Sequence, residues 1–282
     1  SDSFTVQVTD DDGNNETQVI SLSLTAVNDA PIASGSPALV SITEENTTSD
    51  GDTVSNLFNS SFTSEDGQTL KAIAIIANEA NSATEGIWQY SDDSGLNWST
   101  ITTAGLEDST ALYLSSSVTI RFVPVTHFNG TPGGLTARLI ASSYLPAVAD
   151  GGELDVSTNG DPSSFSAESL SLSTSVSPVN DGGTFSGHTS GSGTEGDSSI
   201  GGTLSFSDSI DGATTPNYTV TSDTSNGSAS IDSSTGAWTY APDTDFNGTD
   251  SFIVEVTDDD SHNETQTISL TVTPINDAGP FS

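Results

Sequence analysis

DSFTVQVTDDDGNNETQVISLSLTAVNDA (residues 2–30) returns near the other end of the chain as DSFIVEVTDDDSHNETQTISLTVTPINDA (residues 250–278). About 20 of the 29 aligned positions are identical, and self-similarity on this scale marks a tandem array. Within the first copy Phe4, Val6 and Val8 alternate with polar residues at the period of a strand. The acidic turn Asp10-Asp11-Asp12-Gly13 follows, and a second alternating stretch, 20–27, leads into Asn-Asp-Ala-Pro. Each copy therefore predicts a hairpin and a linker. A third copy of the terminal motif, SLSTSVSPVND, ends at Asp181, so the pairs Asn28–Asp29, Asn180–Asp181 and Asn276–Asp277 punctuate the chain. Three pieces result: 1–30, the last hairpin of a repeat with its linker; 31–182, a longer module; and 183–282, a full repeat.

The full repeat sets the fold class. Short strands are expected at 202–207, 217–221, 227–231, 237–241, 251–257 and 265–273, with a first strand near 183–189. Seven short strands separated by Gly, Asp, Asn and Pro turns predict an antiparallel Greek-key sandwich. Trp238 and Tyr240 fall on alternate positions of one strand and are expected in the core. The middle module keeps the same frame: Ile42-Thr43-Glu44 parallels Gly193-Thr194-Glu195, and Phe62-Thr63-Ser64-Glu65-Asp66 parallels Phe206-Ser207-Asp208 with Asp211 beyond. Between these ends lie extra residues: an expected hairpin over 86–98 with Trp88 and Trp98 on paired strands, a strand over 118–123, and a long segment, 142–163, with few strand signals. An uncovered loop of that length is usually functional or disordered. The whole reads as all-β, tandem antiparallel Greek-key β-sandwiches with the middle one elaborated.

Composition narrows the function. Against 39 acidic residues stand 3 basic ones, for a net charge of −36. Nucleic acid is excluded as a partner because phosphate binding needs a Lys/Arg footprint. The longest apolar run, 72–77, is far too short for a membrane span, so no membrane insertion is expected. Cysteine is absent, which rules out disulfides and a thiol nucleophile, and methionine is absent even at position 1, from which a longer parent chain is expected. His127, His188 and His262 sit in different turns or modules with no nucleophile motif nearby, so no enzyme is expected.

So acidic a surface repels itself when compact. Strand parity gathers the acids at module poles: Asp208 and Asp211 at the end of one strand, Asp258 and Asp260 in the last hairpin turn, and Asn180–Asp181 in the incoming linker, with Glu44 or Glu45 of the preceding module near that linker. Neighbouring carboxylates ~4 Å apart repel by ~1 kcal/mol even in water, and Ca²⁺, which takes 6–8 oxygens at about 2.3–2.6 Å, removes the conflict. The candidate metal ligands are Asn28, Asp29, Glu44, Glu65, Asp66, Asn180, Asp181, Glu195, Asp208, Asp211, Asp258 and Asp260. The other reading is that TDDDG and TDDDS are turn residues and nothing more. Neither carries EF-hand spacing.

The combination of VTDDDG, NETQ-ISL, the V-N-D-A-P linker and the frame GTEGD…LSFSD resembles the cadherin-like repeats of giant bacterial RTX adhesins. The resemblance implies Ca²⁺-dependent proteins of the bacterial cell surface, exported by type I secretion, in which adjacent repeats of the parent chain are partners. The middle module, with FTSEDGQTLKAIAI, GIWQYSDDSGLNW, ALYL and IRFVP, resembles the peptide-binding domain of an ice-binding marine adhesin. That implies capture of a peptide or protein on another cell surface, with Ca²⁺ helping to hold a C-terminal carboxylate. All three basic residues, Lys71, Arg121 and Arg138, lie in this module. The candidate ligand-binding residues are Asp92, Asp93, Arg121, Tyr144, Asp150, Glu153, Asp155 and Asp161. A Ca²⁺-stiffened extender without a ligand, or a carbohydrate-binding module, is the alternative.

Overall fold

The computed structural model describes residues 1–210, 215–258 and 261–276. Val179–Ser282 forms one compact unit and Ser1–Pro178 another.

In the second unit the predicted alternation becomes a two-sheet sandwich. One sheet runs Thr184–Gly187, Ile200–Ser207, Ala237–Pro242, Gly227–Ile231; the other runs Ser190–Thr194, Asn263–Thr273, Gly248–Thr257, Asn217–Ser222. This is the expected order of a cadherin/Ig-like sandwich. Phe252, Val254 and Val256 of one strand and Ile268, Leu270 and Val272 of its neighbour point inward and are buried, because side chains two apart share a sheet face. Trp238 and Tyr240 meet them from the opposite sheet, with the Trp238 ring edge-on to Phe252 at 5.7 Å. Trp238 Nε1 donates to the His188 carbonyl at 2.9 Å, satisfying its one polar atom. The glycines of the facing strands make room for it: a Cβ on Gly191 or Gly202 would sit 2.6 or 2.7 Å from the indole.

The first strand differs from expectation. It is two pieces on two sheets: Thr184–Gly187 pairs antiparallel with Ile200–Ser207, and Ser190–Thr194 pairs parallel with Asn263–Thr273. Gly187, at φ +87°, supplies the left-handed backbone at the switch.

The first unit holds a hairpin and the elaborated module. The hairpin, Asp2–Thr9 with Asn15–Leu22, has the register of its distant copy: Phe4 faces Ile20 as Phe252 faces Ile268. Its apolar face is uncovered, with Phe4 53% and Val8 64% exposed where Phe252 is 1% and Val256 0%.

The module packs a five-stranded sheet (Glu153–Leu154, Ala111–Ser115, Leu70–Asn78, Leu135–Ala141, Phe165–Leu172) against a four-stranded one (Asp52–Thr53, Thr119–Pro124, Gly86–Ser91, Ser99–Thr100). Trp88, Phe122, Phe58, Ile73, Ile75 and Leu114 fill the space between. A one-turn helix, Val54–Phe58, closes one end; Thr53 Oγ1 accepts from Asn56 N at 3.2 Å as its N-cap. No sequence signal was assigned to that helix. The shared frame is present: Ile42–Thr43 pairs parallel with Val176–Ser177, and Phe62–Thr63 pairs with Ile32–Ala33 as Ile200–Ser207 pairs with Thr184–Gly187.

Two expectations for this module need correction. Trp98 is not on a strand paired with that of Trp88. The second strand of the hairpin is Ser99–Thr100, and Ile101 N donates to the Trp88 carbonyl. Trp98 instead covers the Arg121 guanidinium at 3.9 Å from the ring centroid. Nor is 142–163 an uncovered loop. Leu70–Asn78 is apolar on both faces: Ile73 and Ile75 face the main core, while Ala72, Ala74 and Ile76 face a second one. Leu154, Val156, Tyr144 and Val148 from the long segment cover that second face with Tyr113, Ile140 and Phe165. A strand buried on both sides reads as a continuous apolar run, which is why LKAIAIIAN lacks the alternation of the repeats.

Candidate metal and ligand sites at the module poles

The acidic turns are built by their own carboxylates. Asp10 accepts from Asn14 N at 2.7 Å and from Asn14 Nδ2 at 3.1 Å. Asp93 does the same with Asn97, at 2.8 and 2.6 Å, and Asp258 accepts from His262 N at 2.8 Å. The shared device is an Asp whose side chain takes the amide four residues on, closing the turn locally. Bonds from Asn14 hold the Asp10 carboxyl below its usual range, and those from Asn97, with the Ser91 hydroxyl, bring Asp93 down to about 2. Asp92 is exposed beside it.

At the pole of the first unit nearest residue 28 the linker is tied down. Asp29 N donates to Asp66 Oδ2 at 2.8 Å and Ala30 N to Asp161 Oδ1 at 2.5 Å. Asn28 Nδ2 donates to the Ser163 carbonyl at 2.7 Å, and Gln68 Nε2 bridges Asn28 Oδ1 and Asp66 Oδ2 at 2.7 and 3.1 Å. Thus the Asp29 backbone and the Asp66 side chain, both from the candidate ligand set, meet here, joined by Asp161 from the long segment and by Gln68, which carried no sequence signal. Glu65 is exposed.

The far pole of each module repeats a second device. Glu44 N donates to the Ser177 carbonyl and Glu195 N to the Thr273 carbonyl, at 3.1 and 2.9 Å. Both glutamates are buried. Glu44 accepts from Asn129 Nδ2 at 3.2 Å; Glu195 accepts from Asn247 Nδ2 at 2.8 Å and from Ile275 N at 2.6 Å. Both asparagines lie in a repeated motif, Thr-His-Phe-Asn-Gly-Thr at 126–131 and Thr-Asp-Phe-Asn-Gly-Thr at 244–249, which the sequence offered as a signal and the reading passed over. His127 and Asp245 hold the same left-handed backbone there, at φ 60° and 62°.

At the other pole of the second unit Gly183 N donates to Glu264 Oε1 at 2.6 Å, so the linker meets the end of the last hairpin as strand parity required. Glu264, in the repeated Asn-Glu-Thr-Gln, was another missed residue. Asp208 is buried and accepts from Ile210 N at 2.9 Å, the Asp258 side chain is largely buried, Asp181 is half-buried, and Asn180 is exposed. Asp211 and Asp260 lie outside the described residues.

The candidate ligand residues of the middle module are dispersed. Asp150 accepts from Ser115 N and Oγ at 2.5 and 2.9 Å, pinning the long segment to the sheet. Asp155 is tied up with Ser157, and Glu153 and Asp155 point to solvent because Leu154 and Val156 between them point inward. Tyr144 packs on Phe165 at 5.1 Å and under Lys71, whose Nζ donates to the Tyr144 carbonyl. Arg121 holds Gln89 Oε1 with Nε and Nη2 at 2.9 and 2.8 Å and the Ser49 carbonyl with Nη1 at 3.2 Å. Arg138 forms an ion pair with Asp108 at 2.6 Å. A cleft of about 280 Å³ opens elsewhere, floored by Leu39, Ile42 and Phe122 and rimmed by Ser49, Asp50 and Asp52.

Calcium is the ion the sequence implies. At the 28–30 linker the accepting atoms of Asn28, Asp66 and Asp161 are hard oxygens, the type that suits it, and each takes an N–H bond. Among the described residues no three acidic or imidazole groups stand close enough together to hold an ion.

Residues 180–271 match the bacterial Ig domain family. The match falls on the unit whose strand order is that of an Ig-like sandwich, so this part of the chain is an Ig-like repeat. No curated protein sequence matches the chain. Among solved structures, the extracellular cadherin domains 3–6 of protocadherin gamma B2 are similar over 97% of this chain and 60% of that one, at 14% identity and a TM-score of 0.45. Mouse cadherin-23 EC22–24 is similar over 97% and 74%, at 14% identity and a TM-score of 0.41. The chain spans about three fifths of the first of these. Among the described residues no helix is long and apolar enough to cross a membrane.

Proposed function

We propose that this chain is a segment of an extracellular adhesin of the bacterial surface, exported by type I secretion, whose Ig-like units are stiffened by Ca²⁺ at their poles and whose middle module takes a peptide or protein ligand. The observation that carries this reading is the linker at 28–30. In a chain of net charge −36, two consecutive backbone N–H groups of that linker are held by the carboxylates of Asp66 and Asp161. Asp66 and Asp161, two carboxylates drawn to one linker, and the Asn28 side-chain oxygen beside them are hard oxygens of the kind Ca²⁺ takes, and they would hold it with further oxygens from solvent. The cleft over Phe122 is where the middle module would seat a ligand side chain. No catalytic role is assigned to the chain.

The test is calorimetry of the full chain in millimolar Ca²⁺ and in excess chelator. An ion that binds the folded state alone raises its stability by mass action, about 2.7 kcal/mol at a hundredfold excess over Kd. A rise of several degrees in Tm with Ca²⁺, lost in Asp66→Asn/Asp161→Asn, is the expected outcome; equal melting with and without chelator overturns the Ca²⁺ part.

The spacer reading has an observation in its favour too. Much of the long segment, 142–163, is occupied in covering the outer face of the five-stranded sheet, so this part of the module's added length has a structural use. A peptide-library screen of the full chain in Ca²⁺ separates the two readings, since a spacer captures nothing.

A further inference from the structure

The strand Thr119–Pro124 of the middle module has an interrupted outer edge. Trp88 stands opposite Phe122 in the ladder with Gly86–Ser91, and the Trp88 carbonyl accepts from Ile101 N on its other side. Opposite residues of an antiparallel pair exchange both backbone bonds or neither, so Trp88 and Phe122 exchange neither. The Phe122 N–H and C=O therefore point away from Trp88, to the outer edge. There Asp52–Thr53 pairs with Thr119 and Ile120 alone, and the chain leaves the sheet at Gly51, at φ +67°. Among the described residues no hydrogen bond reaches the Phe122 N–H or C=O. Phe122 is 1% exposed, and buried backbone groups without a partner cost about as much as lost hydrogen bonds. Pro124, which has no N–H, ends the open stretch.

The space beside this edge is the cleft floored by Leu39, Ile42 and Phe122. Across it, Leu39 N and Ile42 N are committed to the Ser173 and Ser175 carbonyls. Its rim carries Asp50 and Asp52. The Asp50 carboxylate takes no hydrogen bond among the described residues; Arg121 feels its charge but spends its donors on Gln89 and the Ser49 carbonyl. Asp52 uses Oδ1 for Thr53 N and Asn56 Nδ2, both at 2.7 Å. An apolar floor under a negative rim suits a side chain with an aliphatic stem and a cationic head. We propose that the cleft takes a lysine or arginine residue of an extended peptide segment. That residue's own N–H and C=O serve Phe122, its stem lies on the floor, and its cation meets Asp50 and Asp52. Main-chain bonds at the strand edge then give affinity and the cleft gives selectivity, as when a peptide adds to a sheet. The inference rests on the reading that the middle module binds a peptide or protein, and it names the residue that module selects.

The test is a screen of random pentapeptides against the full chain, in two sets: one acetylated and amidated so that neither end is charged, the other with a free C-terminal carboxylate. Captured blocked peptides are expected to share a lysine or arginine. Norleucine in place of that lysine, or N-methylation of its backbone, which removes the bond to Phe122, should each weaken capture at least tenfold. Asp50→Asn/Asp52→Asn should do the same, and asparagine keeps the Oδ1 that Thr53 and Asn56 use. Capture that ignores the cation, the N-methyl group or the double substitution overturns the inference and leaves the ligand-binding reading standing, as does capture of the free-carboxylate set alone. Capture of neither set overturns both.

Discussion

Two hairpins of nearly one sequence live in opposite environments. Asp2–Thr9 with Asn15–Leu22 and its copy in Gly248–Thr257 and Asn263–Thr273 share strand register, the bond from the threonine hydroxyl to Asn15 or Asn263, and the reach of Gln18 or Gln266 to the next carbonyl. All of these are local. What differs is everything that depends on the rest of the chain: one apolar face is the centre of a core and the other meets solvent. The lesson is that alternation and turn chemistry suffice to specify a hairpin, whereas its contribution to stability is set by what lies across from it.

The comparison can be broken most severely at the phenylalanines. Phe252→Ala removes a buried ring and is expected to cost the second unit about 3–5 kcal/mol. Phe4→Ala, at the same place in the other copy, should stay within about 0.5 kcal/mol in a polypeptide of these 282 residues, as surface substitutions do. Urea unfolding followed by hydrogen exchange on each unit reads both, and equal costs would mean that the first hairpin is covered after all.

The aspartates come next. Asp250→Ala leaves Ser225 N, Asn226 N and the Tyr240 hydroxyl without their acceptor and should cost about 1–2 kcal/mol, whereas Asp2→Ala should leave the urea midpoint of the first unit unmoved. Burial raises the pKa of Asp250, but these bonds outweigh it and the net shift is downward; the same burial, with the Asp250 bond, pushes Tyr240 up to about 12. Spectroscopic titration of Asp250→Ala should find Tyr240 lowered toward its ordinary value.

A smaller effect separates the two turns. Gly13 and Ser261 occupy the same place with φ +84° and +71°, a region that disfavours every residue with a Cβ. Ser261→Gly should stabilise the second unit by up to about 1 kcal/mol, measured by urea midpoint, and Gly13→Ser should weaken its turn by as much. No gain from Ser261→Gly would show that the serine side chain offsets its backbone strain.

The smallest concerns the turn device that the middle module shares with the hairpins. Asp93 is depressed from 3.8 to about 2 by the Asn97 and Ser91 bonds. A depressed carboxyl stabilises the fold above its unfolded pKa and loses that contribution as pH falls through the folded one. The difference in midpoint between the natural chain and Asp93→Ala should therefore be constant above about pH 4 and vanish toward pH 2. A difference that persists at pH 2 would assign it to packing instead.

Much of this was legible in the chain. In the second unit, six of the expected strands lie close to where they were read, because each is short, alternating and bounded by turn residues. Equivalences such as Ile42-Thr43-Glu44 with Gly193-Thr194-Glu195 were visible because the two ends of each module repeat. Failures came where tertiary contacts replaced pattern. The first strand of the second unit changes sheets at Gly187, which no periodicity records. Trp98 lies beside a two-residue strand and is held by Arg121, a partner more than twenty residues away. In the long segment Glu153, Leu154, Asp155 and Val156 do alternate, but four residues amid polar turns gave no hint of the apolar face they would cover. Asp161 and Gln68 reached the linker at residue 28 only through folding, since more than a hundred residues separate Asp161 from Ala30.

The sequence by itself determined the hairpins, their acidic turns and the module spacing, because each depends on residues a few positions apart whose geometry the backbone dictates. Only the tertiary structure decided which apolar faces are covered, which carboxylates grip the linkers, and that the middle module's central sheet is buried on both sides. Those outcomes are set by pairings between distant segments, and a side chain's burial is a property of the surface it meets.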